Sequence, residues 1–483
     1  MLVSLYPMRG QAMNESLTLA KHITDINYDD LPSNVIDAAK KSFLDALGVT
    51  LAAGTLGEGC KAFVDLAMAE GGRKESTILG FGAKAPAFMA AFANGSMAHA
   101  LDFEDAHDRA PVHPNAATIP AALAVAESIG NVSGRKFTAA IALGCDIVCR
   151  LGLALNEDLL KYGWYMPPIL GAFGATTAVC RLLNLTVEQI LDAFSLTLCQ
   201  ATCSAELTHS PHSVVRSIRD AFSAKVGVLS ALLAKQGVAG FHQPIEGKAG
   251  LFNLYARGNY DPTMLTAELG RTFEGAHVSF KPWPSCRGTH SYIDAVLQIL
   301  DARNLKPSDV EEIRVVVSPV NKMLCEPPER KQNPVTAIDA KFSLPFVIAT
   351  ALRHGRVTLD HFTPQALADQ DVLEIARKVT YEVDTGLTLK EAVRGFLQIN
   401  AKNETLSKRV DFPYGHPKNP ISQEALVLKF MDCAKHSVKR ISKKKLNEIV
   451  ELIWNLESRK HPRDYRSAIG HPSSPRMRTN RHD

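Results

Sequence analysis

The sequence predicts a mainly α-helical protein, with a large all-helical domain and a smaller α+β domain inserted into it. Three observations support this prediction. Apolar residues recur at helical spacing from about residue 14 to residue 265. An alternation of apolar and polar residues, which is typical of strands, begins only after about residue 271. Helical spacing returns after Gly415-His416-Pro417.

The helices of the first part are predicted from the spacing of their apolar residues. In 33–51, Ser33 is placed to cap the first turn, and Ile36, Phe43 and Leu47 follow at helical spacing. Five further segments are rich in Ala and in small residues that allow close packing, at 86–98, 116–129, 137–153, 172–183 and 221–236. Most of them are apolar on more than one side, as expected inside a large helical domain.

The strands are predicted from period-two alternation. Segments 313–317 and 379–383 each place their apolar residues on one face. Segments 395–399 and 405–410 flank a turn at Lys402-Asn403, which indicates a hairpin. Helices are predicted between the strands, at 290–302 and 343–353, and after them, at 422–435 and 443–456.

These elements divide the chain into four parts. Residues 1–270 form the N-terminal part of the helical domain, and 271–411 form the α+β domain. Residues 412–459 return to the first domain, because their helices have no sheet to extend. Residues 460–483, rich in Arg, Ser, Pro and His, are expected to be a disordered basic tail.

Composition narrows the class of protein. With 483 residues, 46% hydrophobic and 22% charged, the chain is long enough to bury a large core. A net charge of +4 is weak at this length and does not indicate a nucleic-acid partner. The most apolar runs end well short of the roughly 20 residues of a membrane span. The nine scattered Cys indicate reduced core thiols and a cytoplasmic protein.

The densest group of polar residues lies at 101–114, between two apolar helices. Asp102 and Glu104 follow an Ala-rich helix, where burial would raise a carboxyl pKa and suit it to proton transfer. His107 and His113 titrate near neutrality. A solvated acidic connection between helices remains an alternative, and so does a metal site, although the spacing matches no metal-ligand motif.

A second candidate segment, 281–290, combines cations with a Pro-stiffened loop that opens a helix. Lys281, Arg287 and the helix N-terminus favour an anion, and the guanidinium fork suits a carboxylate. Cys286 is a candidate thiolate without a partner base in the sequence. The alternative is a linking loop with solvated cations.

Three further segments are weaker candidates. Residues 161–170 contain Trp164 and Tyr165, which packing alone would explain. Arg216 and Arg219 share a helix face, where a salt-bridge cluster with Asp220 is the alternative to a binding role. In 341–344, helix capping by Ser343 is the simplest role.

Together these motifs make the chain resemble the MmgE/PrpD family of 2-methylcitrate dehydratases, cis-aconitate decarboxylases and iminodisuccinate epimerases. The resemblance covers about 16–456. Its carrying segments, in order, are Ser42-Phe-Leu-Asp-Ala-Leu-Gly48, Asn94-Gly95 to His99, Leu101-Asp-Phe-Glu-Asp105 to His113-Pro114, Lys281-Pro-x-Pro-x-Cys-Arg287 with His290, Lys341-Phe-Ser-Leu344 and Gly415-His-Pro-Lys-Asn-Pro420.

The resemblance implies a fold and a site. The fold is a large helical domain with an α+β lid, the active site lies between them, and members are usually homodimers. Asp102, His113 and Lys281 match active-site positions. Three positions depart from the family: Tyr165 stands where many relatives have His, Arg216 where they have Lys, and Ala106 where a Thr often follows the acidic pair.

The implied function is a lyase that needs no cofactor and no metal. It acts on a small di- or tricarboxylate, with elimination of water in the manner of a 2-methylcitrate dehydratase as the first reading. The alternatives are decarboxylation, epimerisation of an iminodisuccinate-like substrate, and a non-catalytic carboxylate-binding relative. The candidate catalytic residues are Asp102, His113, Tyr165 and Lys281, and the candidate substrate-binding residues are His107, Arg216, Arg287 and His290.

Overall fold

A computed structural model of the chain describes residues 14–210, 213–388, 391–402 and 404–458. Over these residues the protein is mainly α-helical, as the sequence predicts. Several parts of the predictions lie outside the described residues, among them residues 1–13 of the N-terminal part, Asn403 of the predicted hairpin turn and the basic tail, 460–483.

The part before residue 271 contains twelve α-helices within the described residues. They are α1 (Glu15–Asp25), α2 (Ser33–Leu56), α3 (Cys60–Ala69), α4 (Ala87–His99), α5 (Pro114–Ile129), α6 (Gly134–Leu153), α7 (Met166–Leu183), α8 (Val187–Leu198), α9 (Val215–Ile218), α10 (Asp220–Lys235), α11 (Leu251–Ala256) and α12 (Thr263–Thr266). The six helical segments that the sequence predicts coincide with α2, α4, α5, α6, α7 and α10.

Among the helix starts that differ from the prediction, those of α7 and α2 involve proline. Helix α7 begins at Met166 rather than at 172, because Pro167 and Pro168 occupy its first turn, where a missing N–H costs nothing. Helix α2 begins at Ser33 itself, and Pro32 holds the N-cap position without a side-chain hydrogen bond. The expected capping role of Ser33 is therefore wrong.

The expectation that the N-terminal part is entirely helical is wrong in one detail. Strands β1 (Ser76–Ile78) and β2 (Ala83–Ala85) form a small antiparallel pair between α3 and α4. Three residues are too few to show a period-two pattern, so the sequence gives no sign of these strands.

Residues 290–410 build a four-stranded sheet covered by helices. Its order is β4-β3-β5-β6, from β3 (Val310–Val317), β4 (Val379–Val383), β5 (Gly395–Ala401) and β6 (Glu404–Val410). The predicted hairpin is confirmed, since β5 and β6 pair antiparallel. The helices are α13 (His290–Ala302), α14 (Pro328–Gln332), α15 (Ala337–Lys341), α16 (Leu344–His354), α17 (Pro364–Leu367) and α18 (Gln370–Ala376).

Two helices follow the sheet, α19 (Gln423–Lys435) and α20 (Lys443–Trp454). Their apolar side chains belong to the core formed by the N-terminal helices. Phe430 of α19 lies so close to α2 that a side chain at Gly48 would come within 3.2 Å of its ring. The N-terminal and C-terminal helices therefore share one core.

Buried apolar residues form two clusters, one in the helical part and one around the sheet. We call them the first core and the second core. Helix α7 of the first core is long and apolar enough to cross a membrane, but 83% of its residues are buried inside the protein. It has the surroundings of a core helix rather than those of a membrane span.

Candidate active site

The segment between α4 and α5 carries the acidic and imidazole side chains and joins the two cores. It begins after His99, the last residue of α4, and ends at His113, the N-cap of α5. Asp102 has a φ of +49°, in the left-handed region that residues with a side chain rarely adopt. Such strained backbone is concentrated at functional sites, where the surrounding structure holds it in place.

Four side chains of this segment meet in one cluster. The ligand atoms of His99, Asp102, Glu104 and His113 all lie within 4.8 Å of one another. His99 Nδ1 hydrogen-bonds Glu104 Oε1. The first three residues are buried, whereas the His113 side chain is 18% exposed. His113 is therefore the member of the cluster that faces solvent.

The orientation of His113 fixes its tautomer. Its Nδ1 lies 2.8 Å from the carbonyl oxygen of Asp105 and 3.1 Å from Glu104 Oε1. Because both neighbours accept hydrogen bonds, Nδ1 carries the hydrogen, and in the neutral ring the lone pair is on Nε2. Hydrogen bonds from Nδ1 therefore fix the ring, and Nε2 is the atom that can act as a base.

Lys281 brings a cation from the loop before α13 to this cluster. Its Nζ donates to Asp102 Oδ1 at 2.7 Å and to the Asp102 carbonyl oxygen at 3.0 Å, and both side chains are buried. Burial would raise the pKa of the Asp102 carboxyl, but Lys281 opposes this and the pKa lies below its ordinary value. Burial likewise opposes ionisation of Lys281, yet Asp102 and Glu104 raise its pKa. The two residues therefore form a buried ion pair.

A chain of charged contacts leads from the cluster to Tyr165, the N-cap of α7. Asp220 lies 4.0 Å from His99 Nδ1 and 3.7 Å from Arg219 Nε, and the Arg219 guanidinium lies 5.0 Å from the centre of the Tyr165 ring. The predicted cluster of Arg219 with Asp220 is present, but it is buried rather than on the surface.

Arg216 lies between the two cores. Its guanidinium sits 3.7 Å from the centre of the Phe342 ring, which the second core contributes. It is half-buried, and its buried Nε has no hydrogen-bond partner. This places a fixed cation, with a donor to spare, at the boundary between the cores.

The other predicted binding residues are engaged within the protein. Arg287 binds Asp108 through two hydrogen bonds, of 2.7 and 3.0 Å, and also contacts Ser279. His290 is fully buried against Trp283 and Arg287, and burial lowers its pKa well below the ordinary value. These contacts favour a role for Arg287 and His290 in fixing the 281–290 loop.

The His107 side chain lies outside the four-residue cluster and faces Glu274 instead. Its Nε2 lies 3.8 Å from Glu274, and its Nδ1 accepts a hydrogen bond from the backbone N–H of Arg109. His107 is absent from the group of four side chains that meet around Glu104. Its expected role in substrate binding has no support from this geometry.

Lys341 also contacts the cluster's segment, although the sequence places it only in a weaker candidate segment and not among the site residues. It ends α15, is buried, and donates from Nζ to the carbonyl oxygen of Leu101 at 2.5 Å. Burial lowers its pKa to about 8. The sequence signal for Lys341 lies in the Lys341-Phe342-Ser343-Leu344 motif, in which helix capping by Ser343 is the simpler prediction. Ser343 does cap α16, accepting from Phe346 N at 3.0 Å.

The four clustered side chains are also the set closest to a metal site in the described residues. Two features disfavour that use. The Lys281 ammonium group already forms an ion pair with the Asp102 carboxylate, and a hydrogen bond already joins His99 to Glu104. A metal ion would have to displace both, so the arrangement favours proton transfer.

Comparisons with known proteins follow the same division of the chain. The model of the MmgE/PrpD N-terminal domain matches residues 17–263, and that of the MmgE/PrpD C-terminal domain matches residues 283–456.

Three curated relatives are similar over most of their length. A cis-aconitate decarboxylase-like protein, oryM, of Aspergillus oryzae is 27% identical over 76% of this chain and 79% of its own. The cis-aconitate decarboxylase of Aspergillus terreus is 25% identical over 89% and 90%, respectively. That of Homo sapiens is 26% identical over 98% of both chains.

Proposed function

Because the chain belongs to the MmgE/PrpD family, we propose that it is a lyase that moves a proton at the carbon beside a carboxylate of a small di- or tricarboxylate. The observation that carries this proposal is the position of His113. It is the solvent-facing member of a buried acid–base cluster, with Nδ1 held by acceptors and the lone pair on Nε2.

The chemistry sets two requirements that the site's residues meet. Removing a proton beside a carboxylate needs a base, and the enolate-like charge that develops needs nearby cations. His113 Nε2 is the proton-transfer group. Lys281 supplies positive charge next to it, and Arg216 binds a substrate carboxylate with its guanidinium fork. Tyr165, at the end of the Arg219 contact chain, is a candidate donor to the substrate.

Elimination of water is the first candidate reaction. It needs a base on one side of the reacting bond and a proton donor for the departing hydroxyl. His113 and Tyr165 can divide these roles, because the imidazole Nε2 carries a lone pair that can accept a proton and the phenol hydroxyl can donate one.

Loss of carbon dioxide is the second candidate. It is favoured by the names of the relatives, two cis-aconitate decarboxylases and one cis-aconitate decarboxylase-like protein, whose similarity covers 76–98% of this chain. Here the same imidazole would deliver a proton to carbon after the carboxylate has left. Family members often have His where this chain has Tyr165 and Lys where it has Arg216. We expect any difference in reaction from those family members to arise at these two positions.

The test is a screen of the purified protein on 2-methylcitrate, citrate, cis-aconitate and iminodisuccinate, followed by NMR in D2O. Loss of water or of carbon dioxide identifies the reaction. Deuterium incorporation with neither loss would mean an epimerase. Binding without any turnover would mean a non-catalytic relative, and the proposal would fall.

A His113→Gln variant tests the assignment of the proton-transfer group. We expect turnover to fall by about 100- to 10,000-fold, the usual contribution of a general base. His277→Ala is the control, because His277 pairs with Glu274 and belongs to no part of the cluster. Unchanged turnover in His113→Gln would remove His113 from the mechanism.

A further inference from the structure

Three lysines from distant parts of the chain bind three successive backbone carbonyls. Lys341 Nζ donates to Leu101 O at 2.5 Å, Lys281 Nζ to Asp102 O at 3.0 Å, and Lys429 Nζ to Phe103 O at 2.6 Å. All three ammonium groups are buried. We call this set the lysine cradle.

The cradle supplies hydrogen-bond donors to the carbonyl oxygens of residues 101–103, which lie outside any helix or strand. Helix α4 ends at His99, so the carbonyls that follow no longer point at the amides of a next helical turn. A buried carbonyl left without a donor is costly. Positive charge is also favourable beyond the C-terminal end of a helix, because the peptide dipoles leave negative charge there.

The three lysines are tied to one another and to the rest of the protein. Lys429 also donates to the carbonyl oxygen of Lys281 at 2.8 Å, and it pairs with Asp45 of α2 at 2.5 Å. Lys341 ends α15 of the second core, and Lys429 lies on α19 of the first. The cradle therefore forms only when both cores and the C-terminal helix are assembled around residues 101–103.

We propose that Lys341 and Lys429 are positioning residues, which hold Asp102 in its left-handed backbone conformation and so keep Asp102 and Glu104 in place around His113. Neither lysine is assigned contact with substrate. The proposal rests on the proposed function for its kinetic test, but it has a second test that needs no turnover.

The kinetic test uses Lys341→Met and the double variant Asp45→Asn with Lys429→Met. The double variant removes both charges of that pair, since a lone buried Asp45 would endanger folding. We expect kcat to fall by about 10- to 100-fold, as for a small misplacement of reacting groups. KM should change by less than about twofold, because no substrate contact is lost.

Lys40→Met is the matched control. Lys40 is also a buried lysine that binds a carbonyl, Trp454 O at 2.8 Å, and a carboxylate, Glu457 at 2.6 Å. The Lys40→Met substitution removes the same kind of contact, but its partners are Trp454 and Glu457 rather than residues 101–103. We expect its kcat per folded molecule to equal that of the parent.

Hydrogen exchange of the backbone provides the second test. The amides of Asp102 and Ala106 are bonded to His99 O and Ser279 O in this structure. In the cradle variants we expect exchange in 101–106 to be about tenfold faster, and in Lys40→Met to be unchanged.

The proposal is overturned if the cradle variants leave both exchange and kcat at the parent's values, or if Lys40→Met lowers them equally. Absence of turnover on every polycarboxylate, with faster exchange only in the cradle variants, would reject the proposed function while supporting the cradle.

Discussion

Asp105 is buried without a cation, unlike its neighbours in the acidic segment. Its Oδ1 accepts from the backbone N–H of Asn115 at 3.1 Å, and its Oδ2 has no partner. Burial raises the pKa of Asp105 well above the ordinary value, and Asp45 and Glu104 add to the shift. The folded protein therefore keeps a proton on Asp105 that the unfolded chain releases above about pH 3.9.

This predicts a pH-dependent effect of Asp105→Asn on stability. Between the unfolded and folded pKa values, the protonated parent loses about 1.4 kcal/mol of stability for each pH unit of increase. Asparagine keeps the acceptor for Asn115 and does not titrate. The stability of the variant relative to the parent should rise with pH, as measured by urea unfolding at pH 5, 6 and 7. A difference that stays constant or shrinks over this range would contradict a protonated Asp105.

The sequence located Asp102, His113 and Lys281, and the structure brings Lys281 to 2.7 Å from Asp102. It did not indicate that Arg287 is held by Asp108, 179 positions away in the chain. Such a pairing depends on the tertiary fold, and a sequence shows only that both charges exist. The sequence also did not indicate a site role for His99. This residue ends an apolar helix, and the helical pattern does not predict which side chains it contacts in the folded protein. The catalytic and binding roles stay predictions.

At the scale of single elements, helices α6 and α7 cross at two glycines. A side chain at Gly174 would come within 2.9 Å of the carbonyl oxygen of Gly144, so the two backbones are almost in contact. Gly171, on the same helix, has room: the nearest atom to a side chain there would be the Ala117 methyl group, at 3.5 Å.

An alanine substitution is expected to have opposite effects at Gly174 and at Gly171. Gly174→Ala should lower the free energy of unfolding by about 1–3 kcal/mol, because the helices must separate. Gly171→Ala should raise it by up to about 1 kcal/mol, since alanine favours a helix. Urea denaturation of both variants measures this. A Gly174→Ala variant as stable as the parent would show that the crossing tolerates a methyl group.

The helices and strands could be predicted from the sequence wherever the helical or period-two spacing of apolar residues continued over enough residues to be recognised. The six Ala-rich or amphipathic helices and the β5–β6 hairpin have this property, and each is present. The strands β1 and β2 are too short for any period. The start of α7 lies six residues before the predicted one, because Pro167-Pro168 is equally typical of a turn and of a first helical turn.

At the scale of the whole molecule, the two cores meet through ionic and hydrogen-bonded contacts. Lys281 and Lys341 reach residues 101–102, and Arg287 reaches Asp108. If the second core acts as the lid that the family resemblance implies, a polycarboxylate bound between the cores would favour the closed arrangement. The domain limits, the homodimer and the cytoplasmic location expected from the sequence stay predictions.

Closure predicts a ligand-dependent protection of the 281–290 loop. With a saturating polycarboxylate, we expect slower hydrogen exchange in this loop and in 341–343 than in the free protein. About 0.5 M salt should reduce the difference, because it shortens the range of ionic attraction. Protection that is identical with and without ligand would contradict closure. Arg314 on β3, which pairs with Glu382 of β4 within the sheet, offers a control: Arg314→Ala should not alter the protection.

The sharing of one core by the first and last helices has a consequence for synthesis on the ribosome. Lys40 of α2 binds a carbonyl 414 positions later in the chain. At roughly 5–20 residues per second, α2 waits about 20–80 s for that partner to be made. During this interval the nascent chain exposes the apolar part of α2 that α19 and α20 cover in the folded protein. Chaperone dependence in the cell should therefore be set by the slow arrival of the C-terminal helices rather than by the sheet.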